Sequence, residues 1–80
     1  MKIYDFCGRK NISGERIHEA RRRMKLSQEQ LAARLQVMGV IIERDSISRI
    51  EIGTRFVTDY EIAALSQIFG VSPSYLLGME

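Results

Sequence analysis

One cysteine, one histidine and one proline in 80 residues leave little material for several kinds of chemistry. A lone thiol, Cys7, excludes an intramolecular disulfide and suits a reducing compartment. His18 and Cys7 together fall short of a metal site, so no metal or other cofactor is expected and Cys7 reads as a bystander. No apolar run approaches the ~18 residues of a membrane span, and no signal-peptide core is present. A cytoplasmic chain with no membrane partner follows. Strand-forming alternation, internal repeats and low-complexity segments are all absent. No serine or cysteine has an evident base, no glycine-rich loop follows a strand, and no carboxylate pair sits in an apolar pocket. His18, beside Glu19 and Arg22, has the look of a solvent-facing position. An enzyme is not expected.

What is present is an ordinary globular composition, 45% hydrophobic and 28% charged. Eighty residues suit one domain, with no room inside them for a separate ligand-sensing module. The net charge of +2 does not announce a partner, but its distribution is uneven. Residues 1–40 carry nine Lys/Arg against four Asp/Glu, and residues 41–80 carry three against six. The surplus gathers at Arg16, Arg21, Arg22, Arg23 and Lys25. Such a cluster either faces phosphates or merely solvates a helix.

Residues 1–12 show no clean period and read as an arm, with Ile3, Tyr4 and Phe6 apolar enough to dock on the domain. The domain proper spans 13–78. Ser13 is the expected N-cap of the first helix, with Ile17, Ala20 and Met24 on its core face and Arg21 on the same side. Ser27 and Gln30 form a capping box for a second helix that carries Leu31, Ala32 and Leu35 inward and ends near Gly39. A third short helix holds Ile47 and Ile50 on one side, and local chemistry prefers Asp45 as its cap. Thr58 and Glu61 make a second capping box ahead of Ile62, Leu65, Ile68 and Phe69. Ser72-Pro73 opens a fifth, short helix. The prediction is all-α, with five helices.

Three fragments in order, SQEQLAARL, ISRIEIGTR and IAALSQIFGVSPSYLL, resemble the phage-repressor-like helix-turn-helix family of the Cro/CI or Xre type, over roughly Ile17 to Leu77. The resemblance implies a five-helix lambda-repressor-like DNA-binding domain in which the third helix enters the major groove. One departure stands out: the connection between the second and third helices is several residues longer than in compact members, and Val40-Ile41-Ile42 makes it apolar. The family also implies that Arg21 pairs with Glu51 to hold the first helix to the third.

By the same resemblance, Arg44, Asp45, Ser48 and Arg49 are the base-facing positions. Arginine suits guanine because its forked N–H groups span O6 and N7, which singles out Arg49; its plainer alternative is phosphate or solvent. The resemblance puts the cap of the third helix at Glu43; if Asp45 caps instead, its carboxylate is occupied by backbone N–H groups and reads no base. Gln28, at the start of the second helix, is placed to touch a phosphate, and Ser46, Thr54 and Arg55 to hold the backbone alongside. Ile52 replaces a usually polar residue, removing one such contact. The implied function is a sequence-specific, double-stranded DNA-binding transcriptional regulator, a repressor, acting as a homodimer on a palindromic operator. Leu76, Leu77 and Met79 are the candidate contacts between copies. The alternative is a protein-interaction module, an adaptor or antitoxin-like partner, for which an exposed apolar loop at Val40–Ile42 would argue.

Overall fold

A computed structural model describes residues 8–80. Its elements are α1 (Gly14–Arg23), α2 (Gln28–Val37), α3 (Arg44–Ile52), α4 (Asp59–Phe69) and α5 (Pro73–Leu76), an all-α fold of five helices among the described residues, as expected. Ile3, Tyr4, Phe6 and Cys7 lie outside the described residues. α3 packs against α1 and α2, while α4 and α5 pair with each other and close over α1. Ile17 from α1, Leu31 and Leu35 from α2, Ile47 and Ile50 from α3, Ile62 and Leu65 from α4 and Leu76 from α5 fill the shared core. Each such aliphatic side chain contributes about 1.5–3 kcal/mol on burial, so every helix is anchored by at least one.

Both predicted capping boxes form. Ser27 Oγ accepts from Gln30 N at 3.0 Å while Gln30 Oε1 accepts from Ser27 N at 2.8 Å. Thr58 and Glu61 repeat the exchange at the head of α4. Three expectations need correction. Ser13 makes no capping bond and has helical backbone angles; Asn11 Oδ1 accepts from Gly14 N instead, at 2.7 Å. Met24 is exposed rather than in the core, because α1 ends at Arg23 and Lys25 turns the chain through φ 58°; the half-buried Leu26 packs on the core just beyond. Leu76 is wholly buried within this chain's own core and is unavailable to a second copy.

The long α2–α3 connection also differs from a flexible apolar loop. Gly39, at φ 87°, ends α2 in the left-handed region that glycine enters without a side-chain clash. Val40 N then donates to Leu35 O at 2.9 Å. Val40 and Ile42 turn inward and join the core, each 9% exposed, leaving only Ile41 outward at 77%. The loop is thus fixed at two points, and α3 starts from a defined place.

A second fixture comes from the segment ahead of α1. Asn11, itself buried, donates through Nδ2 to Ile50 O at 3.0 Å and Arg55 O at 2.8 Å. Arg9 Nη2 donates to Glu51 O at 3.2 Å, and Lys10 N to Gly53 O at 2.8 Å. Carbonyls at a helix C-terminus have no partner within the helix, and these three residues supply partners for α3. Gly53, at φ 100°, sits so close beneath Arg9 that a Cβ there would lie 2.6 Å from the guanidinium carbon.

Two stability outcomes follow, both measurable by urea unfolding. Asn11→Ala leaves an amide and two carbonyls without their partner and should destabilise the fold by about 2–3 kcal/mol. Ile42→Ser should cost about 2–4 kcal/mol, whereas Ile41→Ser should change stability by less than about 0.5 kcal/mol.

Candidate nucleic-acid interface

α3 buries Ile47 and Ile50, and this fixes which side faces out. Residues Asp45, Ser48, Arg49 and Ile52 recur at i, i+3, i+4 and i+7, so they share one face, with Arg44 at its edge. Arg44, Asp45, Arg49 and Ile52 are exposed, and Ser46 and Ser48 are half-buried. Glu43 is the N-cap residue, without a side-chain capping bond. Asp45 is therefore not the cap. Its carboxylate is exposed and among the described residues meets only the neighbouring Arg44, at 3.5 Å. Arg49 is exposed and its guanidinium has no partner among the described residues.

The opposite edge of α3 converges on Glu51. Arg21 Nε donates to Glu51 Oε2 at 2.7 Å and Arg21 Nη2 to Oε1 at 3.0 Å, the expected bridge from α1, made bidentate. Arg21 Nη1 donates to Leu26 O at 2.8 Å. His18 Nδ1 reaches Oε1 at 2.8 Å, and Gln28 Nε2 donates to the same oxygen at 3.2 Å. The His18 side chain is 44% exposed, in keeping with the solvent-facing position expected, but its ring is also anchored on α3. The clue available in the sequence was its position three residues before Arg21, one turn away on the same helical face. Gln28 is brought to the α3 surface but spends one amide hydrogen on Glu51. Burial pushes the Glu51 carboxyl up; the hydrogen bonds from Arg21, His18 and Gln28 outweigh that and hold it below the usual carboxylate range.

Beyond α3, Arg55 is committed. Its two terminal nitrogens donate to Glu61 Oε1 and Oε2 at 3.0 and 3.1 Å, and Nη1 also donates to Phe56 O at 2.9 Å. Glu61 is buried and also serves the α4 capping box, so Arg55 locks the α3–α4 connection. Thr54 is exposed, with its hydroxyl directed at Arg49 O at 3.4 Å. The basic cluster read from α1 divides in the same way. Arg21 belongs to Glu51, and Arg16 stacks on the Tyr75 ring at 4.5 Å while donating to Tyr75 O at 3.0 Å. Arg22, Arg23 and Lys25 stay exposed. Of the eight predicted site residues, six lie on or beside the outward side of α3, while Gln28 and Arg55 are drawn into the ion-pair groups that hold it.

Among the described residues no group of three His, Cys, Asp or Glu side chains is placed to hold a metal ion, and no helix is long and apolar enough to cross a membrane. A family model described as a helix-turn-helix domain matches residues 14–78. The fold is similar to that of the P22 c2 repressor protein, whose crystal structure was solved in complex with the synthetic operator 9T in the presence of Tl+. The two share 31% sequence identity and superpose with a TM-score of 0.68 over 88% of this chain and 98% of that one. No curated protein matches the sequence.

The Glu51 group sets two expectations. Arg21→Ala leaves a buried carboxylate without its main partner and should destabilise the chain by roughly 3 kcal/mol in chemical denaturation. Because the folded Glu51 and Glu61 acids are held below their unfolded values, their stabilisation is complete above about pH 4.3 and is lost as pH falls through the folded values. Thermal melts should therefore fall steeply only on the acid side, and in Glu51→Gln this decline should be shallower.

Proposed function

This chain belongs to the helix-turn-helix domain family, and we propose that it is a sequence-specific, double-stranded DNA-binding transcriptional regulator, acting in the cytoplasm as a repressor. The observation that carries this reading is the outward side of α3. Among the described residues Arg49 has no competing partner there, next to Ser48 and Asp45, on a helix whose other side is pinned by Ile47, Ile50 and Glu51. A helix of two turns fits the major groove, about 12 Å wide, where each base pair shows a distinct donor and acceptor pattern. Arg49 reads a guanine through O6 and N7. Asp45 accepts from a cytosine amino group, Ser48 bonds either class of edge, and Arg44 approaches from the first turn. Ser46, Thr54 and the remaining amide hydrogen of Gln28 hold phosphates, which sets register without carrying sequence information. Arg55 contributes to the same flank through its bound position against Glu61.

One module spans only a few base pairs, so two copies on half-sites one helical turn apart, about 34–36 Å, supply affinity and impose a palindrome. With Leu76 in the core, Leu77 and Met79 are the apolar side chains left to join the copies. Leu77 lines an open, mainly apolar cavity of about 430 Å³ together with Val57, Asp59, Ile62, Ala63 and Pro73, and Met79 is exposed. The protein-interaction alternative rested on the Val40–Ile42 loop, of which only Ile41 is exposed.

Selection from a random duplex library at roughly physiological salt, where non-specific binding is suppressed, should enrich a palindromic motif. Arg49→Ala should weaken binding to that motif by about 1–3 kcal/mol and relax selection at one position in each half. A folded protein that enriches no motif would refute the reading.

A further inference from the structure

Ile52 is the one apolar side chain on the outward side of α3. It stands 63% exposed and takes no part in the core packing of the described residues. A singly exposed aliphatic side chain is ordinary on a protein surface; its place is what sets this one apart. Asp45, Ser48, Arg49 and Ile52 share one helical face, so the isoleucine continues the row of polar groups toward the C-terminal end of the helix. That end is held. Gly53, at φ 100°, turns the chain out of the helix, and Arg9 and Lys10 donate to the carbonyls of Glu51 and Gly53. Ile52 is therefore the last side chain of the row, and it is carried on a capped helix rather than on a fraying end.

We propose that Ile52 is a specificity-determining residue of the interface, packing on the C5-methyl group of a thymine in the major groove. The inference rests on the DNA-binding reading of α3 and extends it to a side chain that forms no hydrogen bonds. In that groove the base pairs present donors, acceptors and one apolar group, the thymine methyl. An isoleucine set against a donor or acceptor takes it from water without a partner, which is costly. Burial against the methyl is favourable. The spacing also locates the thymine. At a rise of about 1.5 Å per residue, Ile52 lies about 4.5 Å beyond Arg49 and about 10.5 Å beyond Asp45. Those distances are roughly one and three base-pair steps of about 3.4 Å. The methyl therefore belongs to a thymine adjacent, or next but one, to the guanine that Arg49 reads, on the side away from Asp45. The backbone contact that a polar residue would make at this position is exchanged for a base contact.

The test is fluorescence anisotropy of the selected operator duplex, and of duplexes in which each thymine in turn is replaced by deoxyuridine, for the wild type and Ile52→Ala. Uracil keeps the pairing and the O4 acceptor and lacks only the methyl, so it isolates the apolar contact. Wild type should lose about fourfold in affinity at one thymine of each half-site, placed as above relative to the guanine whose selection Arg49→Ala relaxes. Ile52→Ala should bind the unsubstituted operator about four- to tenfold more weakly and show no uracil effect at that thymine. Because Ile52 lies outside the core, the variant should keep the wild-type urea midpoint. A motif with no thymine there, a uracil effect of equal size in both proteins, or none in either, overturns the proposal and leaves the DNA-binding reading standing. A folded protein that enriches no motif refutes that reading and this inference with it.

Discussion

A single carboxylate, that of Glu51, determines how α3 is presented. The helix is nine residues long and buries only two of them, Ile47 and Ile50. Apolar burial is non-directional, so the two isoleucines set which side of the helix faces inward but define its exact rotation only loosely. Hydrogen bonds are directional, and four donor contacts from Arg21, His18 and Gln28 converge on Glu51 from α1 and α2. Removing a charged carboxylate from water is costly unless every lone pair is satisfied, and here the satisfaction comes from two other helices. The same contacts that make the buried charge tolerable therefore set the rotation of α3. Its outward side, with Asp45, Ser48 and Arg49, is a consequence of that inward geometry.

The C-terminal end of α3 is held by a different device. Arg9, Lys10 and Asn11 bond the carbonyls of Glu51, Gly53 and Ile50, and Asn11 simultaneously starts α1 through Gly14. Arg9 also places a cation at the negative end of the helix dipole. Arg55, paired with Glu61, fixes the exit toward α4. The C-terminal end of α3 is thus tied to the segments before α1 and before α4, and among the described residues no buried side-chain polar atom is left unpartnered. Such complete satisfaction is what permits so many charges near a small core.

Local signals in the sequence were enough to place the helices. Ser27 with Gln30 and Thr58 with Glu61 carry their own geometry in their spacing, and both boxes form. Long-range partners were harder to read. Asn11 reads as part of an arm because its bonds go to Ile50 and Arg55, about 40 positions away, and no local period reports that. The charged neighbours of His18 signal its partial exposure, but nothing local reports its partner on α3. The α2–α3 connection was legible as apolar, but which of Val40, Ile41 and Ile42 turned inward depended on the backbone after Gly39. The outward positions of α3 were legible through the family resemblance together with the burial of Ile47 and Ile50. That Gln28 and Arg55 would be engaged by Glu51 and Glu61 was not, because each pairing depends on how separate elements pack.

The central claim, that the side of α3 turned outward by the Glu51 contacts is the DNA-reading surface, is tested most directly by backbone amide chemical-shift mapping during titration with the selected duplex. The account predicts the largest shifts at Gln28, Arg44 to Arg49 and Thr54, with α4 and α5 changing little unless a second copy docks there. Shifts concentrated around Val57, Ile62, Ala63 and Leu77, with Arg44 to Arg49 unmoved, would contradict it.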